Sequence, residues 1–102
     1  MSAATLSRRA RRELLDAAEW IARANPLAAQ GLCEAVIKAA ELIGAHPAIG
    51  TARPDLARAA HRFLPLTGFP YIIVYSTRDP RPRIVRVVHG ARDLRNALRD
   101  LQ

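Results

Sequence analysis

Three histidines (His46, His61, His89), two tyrosines (Tyr71, Tyr75) and the arginines Arg62, Arg86 and Arg92 are the side chains in this sequence with the types needed for acid–base work on a phosphodiester. Cleaving RNA takes a base near the 2′-hydroxyl, an acid near the leaving oxygen and a cation for the charge that builds on phosphorus. The stretch RIVRVVHGARDL, residues 83–94, brings Arg86, His89 and Arg92 close in sequence. It reads as a strand that runs into a helix. A strand alternates its side chains, so Arg86 shares a face with Ile84 and Val88. His89 falls on the opposite face with Val85 and Val87, unless a bulge intervenes near Gly90. Tyr71 and Tyr75 share a face with Ile73 and read as core. The period of two therefore disperses an acid–base set instead of gathering it.

Other chemistries are weaker still. The histidines lie 15 and 28 residues apart with no paired cysteine, which is not metal-ligand spacing. Gly44, Gly50 and Gly68 make no phosphate-cradling loop. No cofactor and no metal are expected. A guanidinium between Ile84 and Val88 does pose a problem, because burying it costs free energy unless an anion pairs with it. There are two solutions: an internal carboxylate such as Asp93 or Asp55, or a groove that an external acidic or amphipathic segment fills.

The chain has 102 residues, enough for one domain spanning 1–102. Its net charge is +7, from 16 basic and 9 acidic residues, and this favours acidic partners without choosing among nucleic acid, membrane and protein. Every basic residue except Lys38 is arginine. The single cysteine, Cys33, cannot form a disulfide within the chain and reads as a small core residue; a cytoplasmic location is expected. The N-terminus lacks the apolar core of a signal peptide, and the longest apolar run, Tyr71–Tyr75, is far too short to span a bilayer.

Ser7 reads as an N-cap. From Arg8, apolar residues at Ala10, Leu14, Ala17, Ala18, Ile21 and Ala22 give a helical stripe, with Trp20 packing at its edge. Four arginines crowd that helix start, where the dipole disfavours cations. Asn25-Pro26 ends the first helix and starts a second, which runs to about Ile43 with Gly44 as its C-terminal cap. The short connection makes the pair an antiparallel hairpin. Residues 45–60 are a loop with one helical turn at Asp55–Arg58. HRFLPLTG, FPYIIVYS and RIVRVVH then form a three-strand meander. Tyr71–Tyr75 is apolar on both faces and so reads as a central strand; Pro65 marks an edge or a bulge. SAATL is an optional N-terminal strand, and GARDLRNALRDL a short C-terminal helix. The expected class is α+β: an N-terminal helical hairpin packed on a small antiparallel sheet.

NPLAAQ at 25–30, HPAIG at 46–50, RPDL at 53–56, HRF at 61–63, YIIVYS at 71–76 and IVRVVHGARDL at 84–94 resemble the RelE/ParE superfamily of type II toxins, and the last of these points to the ParE branch. The resemblance implies a toxin that blocks DNA gyrase without being an enzyme, works in plasmid stabilisation and is neutralised by a cognate antitoxin with an acidic or amphipathic C-terminal segment. It implies that Arg62, Arg86, His89, Arg92 and Tyr75 form an antitoxin- or target-binding surface. RelE-like relatives instead cut messenger RNA on the ribosome, which is the alternative reading. Against it, no tyrosine follows Tyr75 and the only lysine, Lys38, lies in the second helix. A plain nucleic-acid-binding module is a third reading, supported by charge alone. It is disfavoured because the aromatic residues do not interleave with the arginines.

Overall fold

Ser7 and Asn25 begin the two long helices as their side chains dictate, accepting hydrogen bonds from Ala10 N (3.0 Å) and Ala28 N (3.1 Å). The computed structural model describes residues 2–102. The elements in chain order are β1 (Thr5–Leu6), α1 (Arg8–Ala22), α2 (Pro26–Ala45), β2 (Thr51–Ala52), β3 (His61–Pro65), β4 (Tyr71–Ser76), β5 (Arg83–His89) and α3 (Leu94–Ala97), followed by a 3-10 turn at Arg99–Leu101. This is the expected α+β arrangement, with a five-stranded sheet in the order β1-β5-β4-β3-β2. β1 runs parallel to β5 and every other pair is antiparallel. The α1–α2 hairpin thus connects the two edges of the sheet.

Two apolar clusters hold the layers. On one face, Leu32, Val36 and Ile43 of α2 pack against Ile73, Tyr75, Ile84 and Val87. On the other, Leu98 and Leu101 of the C-terminal segment and Leu56 cover Phe63, Val74 and Val88. β4 is buried between them, with Ile73, Val74 and Tyr75 fully covered. This two-sided cover is the reason YIIVYS is apolar on both faces.

Several sequence expectations are corrected. Gly44 does not end α2; the helix continues through Ala45, and residues 2–4 cross it instead. Ala4 N donates to Ala40 O (2.8 Å), and a Cβ on Gly44 would lie 2.9 Å from Ala3 Cα. Gly44 is there for close approach. The short C-terminal helix is present as expected, one turn capped by Asp93 and followed by the 3-10 turn, and Leu98 and Leu101 pack onto the sheet. Trp20 does not pack at the stripe edge; it is 67% exposed, with the Arg23 guanidinium 5.2 Å from its ring. β2 is an addition to the expected elements, since a two-residue strand shows no alternation in sequence.

Candidate functional site

β1 ends at Leu6, and beyond it α1 takes the place of a neighbouring strand along β5. Ser7 N donates to Ile84 O (2.8 Å) and Ser7 Oγ to Val85 O (3.1 Å). Val87 N donates to the Glu13 carboxylate (2.9 Å). The exposed ladder of an edge strand is thereby satisfied by a helix. At the same place β5 bulges: Val74 faces Arg86 while Tyr75 faces Ile84, so Val85 is the additional residue.

The bulge turns Arg86 onto the face of Val74 and Val88, away from Ile84, and corrects the simple alternation. Arg86 Nε and Nη2 donate to Glu13 at 2.8–3.1 Å, and Nη1 donates to Asp100 Oδ1 and Ala97 O, both at 2.8 Å. Only 2% of the side chain is exposed. Asp100 is held in turn by Arg9 (3.1 Å). Arg86 therefore ties α1, β5 and the C-terminal segment together, and it presents no charge to a groove. Its partners are neither Asp93 nor Asp55. Asp93 caps α3, and Asp55 is gripped by two hydrogen bonds from Arg53 (3.0 and 3.2 Å), which hold its carboxyl below the usual range.

Tyr75 is equally committed. Its hydroxyl donates to Pro47 O (2.7 Å) and accepts from Gly50 N (2.8 Å). Arg62, its cross-strand neighbour, donates to Gly50 O (2.6 Å). The two side chains converge on the loop that leaves α2 and pin it to the sheet. Gly50 allows this, because a Cβ there would sit 2.8 Å from the Tyr75 ring.

His89 lies elsewhere, at the other end of β4, with its ring edge-on to Tyr71 at 5.2 Å and its Nδ1 accepting from Ala91 N (3.0 Å). Arg92 is exposed beyond β5. The five side chains expected to form one surface thus fall in three places, Arg62 with Tyr75, Arg86 by itself, and His89 with Arg92, and Tyr75 and Arg86 are buried. An acid–base set is not gathered either. His61 pairs with Ser76 and His89 with Tyr71, at opposite ends of β4, which at ~3.3 Å per residue is roughly 17 Å along the strand. His46 is exposed at the end of α2.

The structure offers a different concave surface. A groove of about 400 Å³ runs between α2 and the end of β3, with Gly31, Ala35, Ala39 and Leu42 on one wall and Leu64 and Leu66 on the other. Lys38, Glu34 and Thr67 form its polar rim. Leu42 stands 42% exposed there. The sequence carried a signal for this wall. Residues 31, 35, 38 and 42 form a second helical stripe beside the core stripe Leu32, Val36, Ala39, Ile43. β2 pairs only with Arg62 and Phe63, so the stretch from Pro65 onward has no outer neighbour. Because Leu66 N donates inward to Tyr71 O (3.0 Å), Pro65 is the residue that faces out, and it has no N–H to offer a new strand.

Comparisons with known proteins bear on this geometry. The family model for the ParE toxin of type II toxin–antitoxin systems, parDE, matches residues 4–94. No curated protein sequence matches the chain. Among solved structures, one described as the chromosomal ParDE toxin–antitoxin system from P. aeruginosa superposes with a TM-score of 0.72 at 17% identity, covering 87% of this chain and 96% of that one. At that identity the likeness is one of fold. Among the described residues, no helix is long and apolar enough to cross a membrane.

Proposed function

The chain belongs to the ParE toxin family of type II toxin–antitoxin systems, and from that premise we propose that it inhibits DNA gyrase and is silenced by a cognate antitoxin seated in the α2–β3 groove. The observation that carries the reading is the family match across residues 4–94, which takes in the whole hairpin and sheet. The dispersal of His46, His61 and His89 supports inhibition by binding over hydrolysis. The chain's charge of +7 suits an acidic partner.

The groove also selects the form of the antitoxin segment. Strand addition needs alternating donors and acceptors on the open edge, and Pro65 removes the donor. An amphipathic helix needs only an apolar trough, which Ala35, Leu42, Leu64 and Leu66 provide. The occupant is thus an amphipathic helix with acidic residues near Lys38. Arg62 and Arg92 contribute charge outside the trough, while Arg86 and Tyr75 act by holding the scaffold.

The test is supercoiling of relaxed plasmid by purified gyrase with increasing toxin. Inhibition that the antitoxin reverses is the expected outcome; supercoiling unchanged at saturating toxin defeats the proposal. Primer extension on messages from expressing cells is expected to show no codon-linked cuts, and their presence would establish the ribonuclease alternative.

A further inference from the structure

The turn between β4 and β5 reads TRDPRP and Arg83 follows it, so Arg78, Arg81 and Arg83 come close together with a single carboxylate, Asp79. Pro80 and Pro82 fix φ at two positions of the turn, so little chain freedom remains to be lost when these arginines are held. The sheet brings a fourth arginine to the same end. Thr5 of β1 lies beside Arg83 and its N–H donates to Pro82 O (3.3 Å). Ser7 N donates to Ile84 O (2.8 Å), and Arg8, the next residue, begins α1 there. Arg8, Arg78, Arg81 and Arg83 are all exposed. Thr5, Asp79, Arg81 and Arg83 line a shallow trough of about 490 Å³.

Nearly all the charge at this end has one sign. Among the described residues, the ion pairs and side-chain hydrogen bonds of arginine use Arg9, Arg53, Arg58, Arg62, Arg86 and Arg99. None involves the guanidinium of Arg8, Arg78, Arg81 or Arg83. The carboxylates of the neighbouring segments are already engaged: Glu13 by Arg86, Asp100 by Arg86 and Arg9, and Asp55 by Arg53. On α1, Arg11 and Arg12 follow Arg8 one turn on, and Asp16 and Glu19 come only about 12 Å or more along the axis. At the opposite end of the sheet, beyond β5, Arg92 is followed directly by Asp93, so the two charges offset each other.

We propose that this end of the sheet binds the phosphate backbone of duplex DNA. Neighbouring strands lie ~4.8 Å apart, so the row from Arg78 at the exit of β4, through Arg83 of β5, to Arg8 after β1 extends roughly 10 Å. That span falls within the ~6–12 Å widths of the duplex grooves, which phosphates flank on both sides. Each guanidinium fork can take two phosphate oxygens. An acidic protein segment or a membrane would call for an apolar anchor as well. The exposed large hydrophobic residues are Leu15, Trp20, Leu27, Ile37, Leu42 and Ile49, and none belongs to β1, β5 or the 77–82 turn. Backbone contacts to a duplex need no stacking platform, so the lack of aromatic residues among the arginines, which counts against a single-strand binder, does not count against this site. The surface is separate from the α2–β3 groove.

Fluorescence anisotropy of a short labelled DNA duplex tests this without gyrase or antitoxin, so this proposal and the gyrase reading can fail separately. The parent protein is expected to bind, with log affinity falling against log salt at a slope of about −4 for four neutralised phosphates. Arg81→Ala with Arg83→Ala is expected to weaken binding at least about tenfold and to flatten the slope by about 2. Arg92→Ala with Arg95→Ala removes the same charge elsewhere and is expected to weaken binding less than about threefold. Asp79→Asn removes the one carboxylate of the site and is expected to tighten it. Circular dichroism of these surface variants is expected to match the parent. A parent that does not bind the duplex overturns the proposal. So do equal losses in the two double variants, which would show a diffuse field and no site. Displacement of the duplex by polyglutamate or by phosphatidylserine vesicles, as effective at equal charge as unlabelled duplex, also overturns it in favour of an acidic protein or a membrane.

Discussion

Replacing Glu13 with alanine strands a guanidinium that water barely reaches. Arg86 is 2% exposed, and Glu13 accepts from both its Nε and its Nη2. Leaving a buried charge without its partner costs about 3–5 kcal/mol. Asp100 and Ala97 O remain, which offsets part of that loss. Val87 N loses its acceptor as well, adding about 1–3 kcal/mol. The expected net destabilisation is about 4 kcal/mol, a large share of the roughly 5–15 kcal/mol that holds a domain folded. Asp100→Ala should cost only about 1 kcal/mol, because Asp100 is 41% exposed and Glu13 still holds the charge.

The decisive comparison is the double variant. Glu13→Ala with Arg86→Met removes the charge together with its partner, so it is expected to be more stable than Glu13→Ala alone. Urea titration followed by far-UV circular dichroism measures all of these. Glu13→Ala within about 1 kcal/mol of the parent, or strictly additive losses in the double variant, would show that Arg86 is hydrated and refute the argument.

Single contacts carry the other expected outcomes. Tyr75→Phe leaves the buried Gly50 N without its acceptor and frees Pro47 O; a loss of about 1–3 kcal/mol is expected in thermal melts. Gly44→Ala forces residues 2–4 off α2, which should speed hydrogen exchange at Ala4 N with little effect on the sheet. Leu42→Glu should weaken antitoxin binding by at least about tenfold in calorimetry while changing stability by less than about 0.5 kcal/mol, because Leu42 is half-exposed in the free protein. Arg53→Ala should let the Asp55 carboxyl rise to its usual range in an NMR titration. Since Arg53 holds it low when folded, the small stabilisation it gives is present above the ordinary carboxylate range and fades as pH falls through the lowered value.

The parts of the fold written in periodic or capping residues were legible in the sequence. Ser7 and Asn25-Pro26 marked both helix starts, and YIIVYS announced a strand covered on both sides. What could not be read was anything set by long-range contact. Alternation placed Arg86 beside Ile84, and only the bulge at Val85 separates them. Its carboxylates come from positions 73 residues before it and 14 after it, and no local pattern links these three. Tyr75 looked like core and is core, but its hydroxyl works on a loop 25–28 residues upstream. The groove was hidden for a different reason. Gly31, Ala35 and Leu42 were in view, yet a wide apolar helix is indistinguishable from a deeply buried one until its neighbours are known.

That breadth of α2 is itself informative. The sheet covers only the arc of Leu32, Val36 and Ile43, while Leu42 on one flank and Ile37 on the other stand about half exposed. Completing the burial of a Leu or Ile from that state is worth on the order of 1 kcal/mol each. The free chain forgoes this energy, and a bound partner recovers it. Cover on one flank does not obstruct the other, because the two lie on opposite sides of the same helix. A helix seated in the β3 groove should then raise the melting temperature of the toxin as its concentration rises, by the linkage that any ligand of the folded state obeys.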